Sequence, residues 1–172
     1  HKPVDAFSTF ATLLAQKGSA LCSTHEYVNK AAAAEVLTFM INLAKVVPAQ
    51  CLSMNPIEAA EYLVTTDKEH YSICMYGYTN YSRDGFRTRP IVYDDVPSFD
   101  GLASGSQLGG AGIAISSAAK NVELAAKVAI LLSLPEIQST TYVDAGGQPG
   151  NLAAWKAPHA NAITRNFFNN TL

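Results

Sequence analysis

The densest chemistry in this chain lies in eight consecutive residues, Tyr76-Gly77-Tyr78-Thr79-Asn80-Tyr81-Ser82-Arg83. Three tyrosines, a threonine, an asparagine and an arginine fall within one short loop. Aromatic faces stack on the C–H faces of sugar rings, while amides and hydroxyls offer a sugar's hydroxyl edges both donors and acceptors. Gly77 allows a backbone turn that can aim such side chains into a cleft. Composition alone equally allows these tyrosines to cover the end of a sheet. A second loop, Gly146-Gly147-Gln148-Pro149-Gly150, reads first as a helix stop. Gly146 or Gly147 can take the left-handed conformation that caps a helix, and Pro149 prevents continuation. That leaves Gln148, whose amide could face a ligand. Trp155 is the sole tryptophan. It could stack on a ligand ring or anchor the C-terminal helix in the core, the commoner fate of an aromatic.

Catalytic constellations are missing. His1, His25, His70 and His159 fall in no metal-ligand spacing. There is no Gly-x-Ser-x-Gly elbow and no phosphate-binding loop. Gly105, Gly109, Gly110 and Gly112 do not match the dinucleotide fingerprint, and they precede an expected strand where that fingerprint follows one. Asp94, Asp95 and Asp100 could supply acid–base chemistry, but neighbours on an extended chain point to opposite sides. Solvation is their expected role, and a hydrolase is the least favoured reading. Cys22, Cys51 and Cys74 fit no metal or redox spacing. Each sits among apolar residues, so three buried thiols are expected, with one disulfide plus a free thiol as the alternative. The chain is therefore expected to be no enzyme and to carry no metal or cofactor.

The 172 residues, 48% hydrophobic and 15% charged, suit a packed globular chain. A net charge of -2 gives nucleic acid nothing to hold. No run reaches the ~18 apolar residues a membrane helix needs. The chain begins at His1 without a methionine or signal peptide, as a processed or excised piece would.

Positioning these residues requires the following elements. Val4, Phe7, Phe10, Leu13 and Leu14 have helical spacing over Pro3 to Lys17, with Gly18 as the stop. After a loop at Ser19 to Thr24, a long helix covers Glu26 to Val47 and ends at Pro48. Ser53 or Asn55 caps a helix opening at Pro56 and running to about Val64. Strands are expected at Tyr71 to Tyr76, Ile91 to Tyr93 and Ala111 to Ser116. Helices follow at Val122 to Leu134 and from Pro135 to about Asp144, with helical pieces at Trp155 and at Ala160 to Phe168.

Four segments taken in order resemble the extracellular solute-binding proteins, family 1, that serve sugar-type ABC importers. They are Ser53 to Glu58, Glu69 to Tyr81, Gly109 to Ser116, and Pro135 to Gly150 with its Pro-Glu-Ile-Gln and Gly-Gly-Gln-Pro runs. The resemblance covers about Leu37 to Trp155. It implies an α/β fold of the periplasmic-binding-protein type II, in two lobes, of which this chain looks like the later half. Residues 1–98 and 135–172 would then form the second lobe, and 109–134 would return to the first. Carried over by position, Tyr78, Asn80 and Tyr81 match the ligand-facing loop. Gly109 and Gly110 match the hinge approach, and Gln148 and Trp155 the late loop lining the cleft. Met54 and Asn55 match less well.

The resemblance implies a non-catalytic, carbohydrate- or polyol-binding component, periplasmic or extracellular and lipid-anchored in some relatives. Its partners would be the importer's membrane subunits. Arg83, Arg87 and Arg89 could favour a phosphate or carboxylate on the ligand, or solvate the loop. The alternative is a non-catalytic structural or interaction module, in which Tyr and Arg mark a protein interface. A strand whose sheet is missing leaves an exposed edge, so Ala111 to Ser116 is expected either to repack or to drive self-association.

Overall fold

Helix α1, Pro3–Gln16, starts on a proline at its first position and carries Asp5 in its first turn. Both suit the positive end of the helix dipole. It stops where Gly18 takes φ +70°. The Gly18 N–H then donates to the Ala15 carbonyl at 2.8 Å and the Ser19 N–H to Leu14 at 3.2 Å, a complete two-bond Schellman ending. Helix α2, Lys30–Val46, begins four residues later than Glu26 because Asn29 caps it, its Oδ1 accepting from the Ala32 N–H at 3.1 Å. A 3₁₀ turn follows at Ala49–Ser53. Helix α3, Pro56–Thr65, opens with a reciprocal cap. The Asn55 side chain accepts from the Glu58 N–H at 2.8 Å, and the Glu58 carboxylate accepts from the Asn55 N–H at 2.7 Å.

The computed structural model describes residues 2–19, 21–22, 26–99, 101 and 105–172. The chain divides into two compact units. The first is His1–Gly77 with Asp95–Leu108, the second Tyr78–Asp94 with Gly109–Leu172. In the first, Leu13 and Leu14 of α1 meet Ala33 and Val36 of α2, flanked by Phe10, Phe39, Met40 and Cys74. Burying each large side chain is worth roughly 1.5–3 kcal/mol over leaving it in water. At the rim, Lys17 pairs with Glu35 at 2.5 Å and lies 4.8 Å over the Phe99 ring.

The second unit is built from short pieces: a 3₁₀ turn at Thr79–Ser82, α4 Val122–Ser133, α5 Pro135–Gln138, α6 Thr141–Asp144, α7 Leu152–Trp155, α8 Pro158–Ala162 and α9 Phe167–Asn170. Helices of four or five residues do not stand alone in water, so packing and side-chain bonds must hold them. Phe167 and Phe168 are fully buried, as are Val143, Ala154, Ala160 and Thr164. The Phe167 and Phe168 rings meet edge to face at 5.2 Å, Tyr93 meets Phe167 at 4.9 Å, and Trp155 meets Phe168 at 5.3 Å. Buried Asn161 ties three helices together. Its amide donates to the Trp155 carbonyl at 2.7 Å while its Oδ1 accepts from the Asn169 N–H at 2.8 Å.

The α/β expectation is overturned. Among the described residues helix accounts for 51% and there is no strand, so a periplasmic-binding type II fold is not what this chain adopts. Each expected strand fails for a local reason. Cys74 takes φ 53°, which breaks an extended run through Tyr71 to Tyr76. Ile91 bonds instead to the 3₁₀ turn, its N–H donating to the Tyr81 carbonyl at 2.8 Å and its carbonyl accepting from Ser82 Oγ at 2.8 Å. Residues 111–116 have no neighbouring chain segment to pair with among the described residues. The single helix expected over Pro135 to Asp144 is split into α5 and α6. Ser139 and Thr140 turn their hydroxyls onto the carbonyls of Pro135 and Glu136, and such local bonds compete with helix continuation.

The thiol expectation also needs correcting. Cys22 is exposed, Cys51 and Cys74 are half-buried, and none of the three forms a disulfide. Burial pushes the Cys74 thiol up to about 11. Among the described residues, no helix is long and apolar enough to cross a membrane.

Candidate functional site

The second unit brings the tyrosine loop and the glycine loop together. After α6, Gly146 takes φ +90°. Its N–H donates to Val143 at 2.9 Å, and the Gly147 N–H donates to Tyr142 at 2.8 Å. This is the same two-bond ending as at Gly18, so Gly146 is the left-handed cap. Gly147 is required for a different reason. A Cβ there would overlap the Tyr142 ring and sit 2.7 Å from the Tyr142 carbonyl oxygen.

The reversed chain then runs past the 3₁₀ turn. A Cβ on Gly146 would lie 3.4 Å from Asn80 Oδ1, so the Asn80 amide rests against the helix cap. Gln148 Oε1 accepts the Thr79 N–H at 3.1 Å. One residue on, the Pro149 carbonyl accepts the Trp155 indole N–H at 2.7 Å. Gln138 holds this loop from beneath. Its Oε1 accepts the Gly150 N–H at 2.7 Å and its Nε2 donates to the Leu132 carbonyl at 2.7 Å. A long side chain on α5 thereby fixes the loop's far end to the last turn of α4.

Of the seven residues expected to bind ligand, Gln148 and Trp155 thus bond within one loop, and Asn80 lies against its helix cap. Tyr81 adjoins it but is only 4% exposed, packed edge to face with Phe86 at 5.2 Å. Tyr78 is the most exposed aromatic of the set, at 41%, and Trp155 is half-buried. Gly109 and Gly110 lie on an exposed stretch that makes no hydrogen bond among the described residues, and Gly110 faces open space. Of the remaining candidates, Asn55 is engaged in capping α3 and Asp94 and Asp95 are exposed. His1, His25 and Asp100 lie outside the described residues.

Arg83, expected to meet a ligand anion or solvent, is turned inward instead, and Asp144, His159, Tyr93 and Gln138 were not expected at this site at all. Arg83 Nη2 donates to the Val143 carbonyl at 2.7 Å. Burial pulls its guanidinium below its ordinary value, with Asp144 opposing. Asp144 in turn meets His159 Nε2 at 2.6 Å. Tyr93 is buried, which pushes its phenol up to about 12; the nearby Tyr78 backbone favours the anion slightly but not in hydrogen-bonding geometry. Thr79 Oγ1, Arg83 Nε and Tyr93 Oη are all buried without a hydrogen-bond partner. Thr79 and Arg83 were visible as members of the tyrosine loop, and Gln138 as the glutamine of Pro-Glu-Ile-Gln.

A cavity of about 40 Å³ lies in the first unit instead, lined by Ser8, Thr12, Cys74, Tyr76, Val96 and Gln107. It has room for water but not for a sugar, and none of the seven expected residues lines it. No group of three or more His, Cys, Asp or Glu among the described residues could hold a metal ion. Compared with known protein families, characterised proteins and solved structures, the chain finds no match in any of the three.

Proposed function

We propose that this chain is a non-catalytic binding component for a carbohydrate or related polyol, working with the membrane subunits of an ABC importer outside the cytoplasm. The observation that carries the reading is the hydrogen-bonding deficit beside Tyr78. Three polar atoms of the Tyr78–Asp94 segment, Thr79 Oγ1, Arg83 Nε and Tyr93 Oη, are buried without partners. Leaving such groups unmet is costly, and a polyhydroxyl ligand supplies donors and acceptors together. Tyr78, next to Thr79 in the chain and exposed, offers a stacking face. The order of the Ser53, Glu69, Gly109 and Pro135 segments supports the importer assignment. The two-lobe fold does not come with it.

Calorimetric titration against sugars, polyols and sugar phosphates tests the reading. A ligand from this panel should bind wild type, and Tyr78→Ala should weaken it at least tenfold while leaving the unfolding midpoint unchanged. Failure of every compound to bind wild type would refute the proposal. The second reading, an interaction module, is favoured by a separate observation: α4 contains no buried residue.

A further inference from the structure

Two neighbouring elements of the second unit present apolar surface that nothing among the described residues covers. Along α4, Leu124, Val128, Leu131 and Leu132 fall at i, i+4, i+7 and i+8, the spacing of a core-facing stripe. They are 56, 46, 50 and 39% exposed. Just before α4, residues 109–115 run outside any helix or turn, and none of their backbone N–H or C=O groups is hydrogen-bonded among the described residues. Ile113 and Ile115 are 59 and 38% exposed, and Gly110 and Gly112 face open space. A chain of unmet backbone groups with branched apolar side chains at alternate positions is a template for strand addition.

We infer that the occupant is a second copy of this chain, added antiparallel at residues 109–116 with its α4 stripe against ours. Three features select it. The stretch is self-complementary: with a two-fold axis beside Ile113, Ala111 faces Ile115 of the other copy and Ile113 faces its equivalent, while glycines and Ala114 line the opposite face. Such apolar cross-strand pairs stabilise an antiparallel ladder. The surface is neutral. No Asp, Glu, Lys or Arg occurs from Gly101 to Ala119, and Glu123 and Lys127 of α4 pair with each other at 2.7 Å. Two copies therefore meet without like-charge repulsion, whereas an acidic membrane surface finds no basic face to attract it. The size suits a weak, concentration-dependent pair: residues 109–116 and the four stripe residues of α4 make about a dozen a side, the low end of specific interfaces. The inference does not depend on what the tyrosine loop binds.

Sedimentation velocity of the chain from ~1 to ~100 µM tests it, together with amide exchange over 109–116. The expected result is a concentration-dependent dimer in which these amides are slowed, by at least tenfold relative to dilute protein. Ile113→Lys places two lysines against each other across the axis, and Leu131→Lys puts a charge in the stripe. Each should weaken association at least tenfold. Both side chains are exposed in the single chain, so Trp155 fluorescence should report an unchanged fold. A monomer throughout the range overturns the inference, as does a dimer indifferent to both substitutions or one with unprotected amides. Pelleting of a monomer with phosphatidylcholine vesicles would overturn it in favour of lipid.

Discussion

Gln138→Ala is the sharpest probe of how the glycine loop is held. The Gln138 amide is 8% exposed and makes two bonds of 2.7 Å, from the Gly150 N–H and to the Leu132 carbonyl. A net hydrogen bond contributes about 0.5–1.5 kcal/mol, and a buried partner left unmet costs more. Gly150 is exposed and can find water, so its bond counts at the low end. The Leu132 carbonyl belongs to the last turn of α4, where no intrahelical partner exists, so its bond counts at the high end. The total is about 2 kcal/mol, or roughly thirtyfold in the folding equilibrium. Urea unfolding followed by Trp155 fluorescence reads the loss directly, because the indole is bonded to Pro149 in the same loop. Gln148→Ala is the comparison. Gln148 is exposed, and its Oε1 accepts from the Thr79 N–H at the longer distance of 3.1 Å, so it should cost under ~1 kcal/mol. Gln138→Ala within ~0.5 kcal/mol of wild type, or no more damaging than Gln148→Ala, would refute this account of the loop.

Two further outcomes follow from local geometry. Gly147→Ala should destabilise by more than ~1 kcal/mol in the same assay, since its Cβ meets the Tyr142 ring and backbone, whereas Gly150→Ala points into open space and should be nearly neutral. The Glu58 carboxyl is held below its ordinary value, first by the Asn55 N–H and then by nearby Lys2. Its contribution is therefore full above the unfolded value near 4.5 and is lost as pH falls through the lower folded value. Circular dichroism melts of Glu58→Gln should show a weaker loss of stability below that pH than wild type, and an identical pH profile would contradict the cap.

Helix ends were legible in the sequence because their determinants are local. Gly18, Asn55 with Pro56, and Gly146 each act within a few residues. Even so, Asn29 overruled the earlier start at Glu26, because one side-chain oxygen satisfies an N–H that the alanine run cannot. Strands were not legible, because a ladder depends on what lies alongside. Ile113 and Ile115 alternate correctly yet find no partner among the described residues, and Ile91 is claimed by a 3₁₀ turn. The site was readable in part for the same reason. Residue types at Asn80 and Gln148 suggested polar contacts, but their closure across 69 residues through Thr79 is a tertiary fact. The burial of Tyr81, and the roles of Arg83 and Tyr93, likewise follow from packing rather than from any motif.

The interleaving of the two units has a consequence for synthesis. The chain leaves the first unit at Gly77, returns at Asp95 and leaves again at Leu108, so no single cut yields two whole units. The segment Tyr78–Asp94 emerges from the ribosome early, yet its partners Phe167 and Asn170 and its ion-pair partner Arg165 come some eighty residues later. Closing loops of that length is slow relative to local helix formation. During that interval the tyrosine segment waits with its aromatic side chains in water.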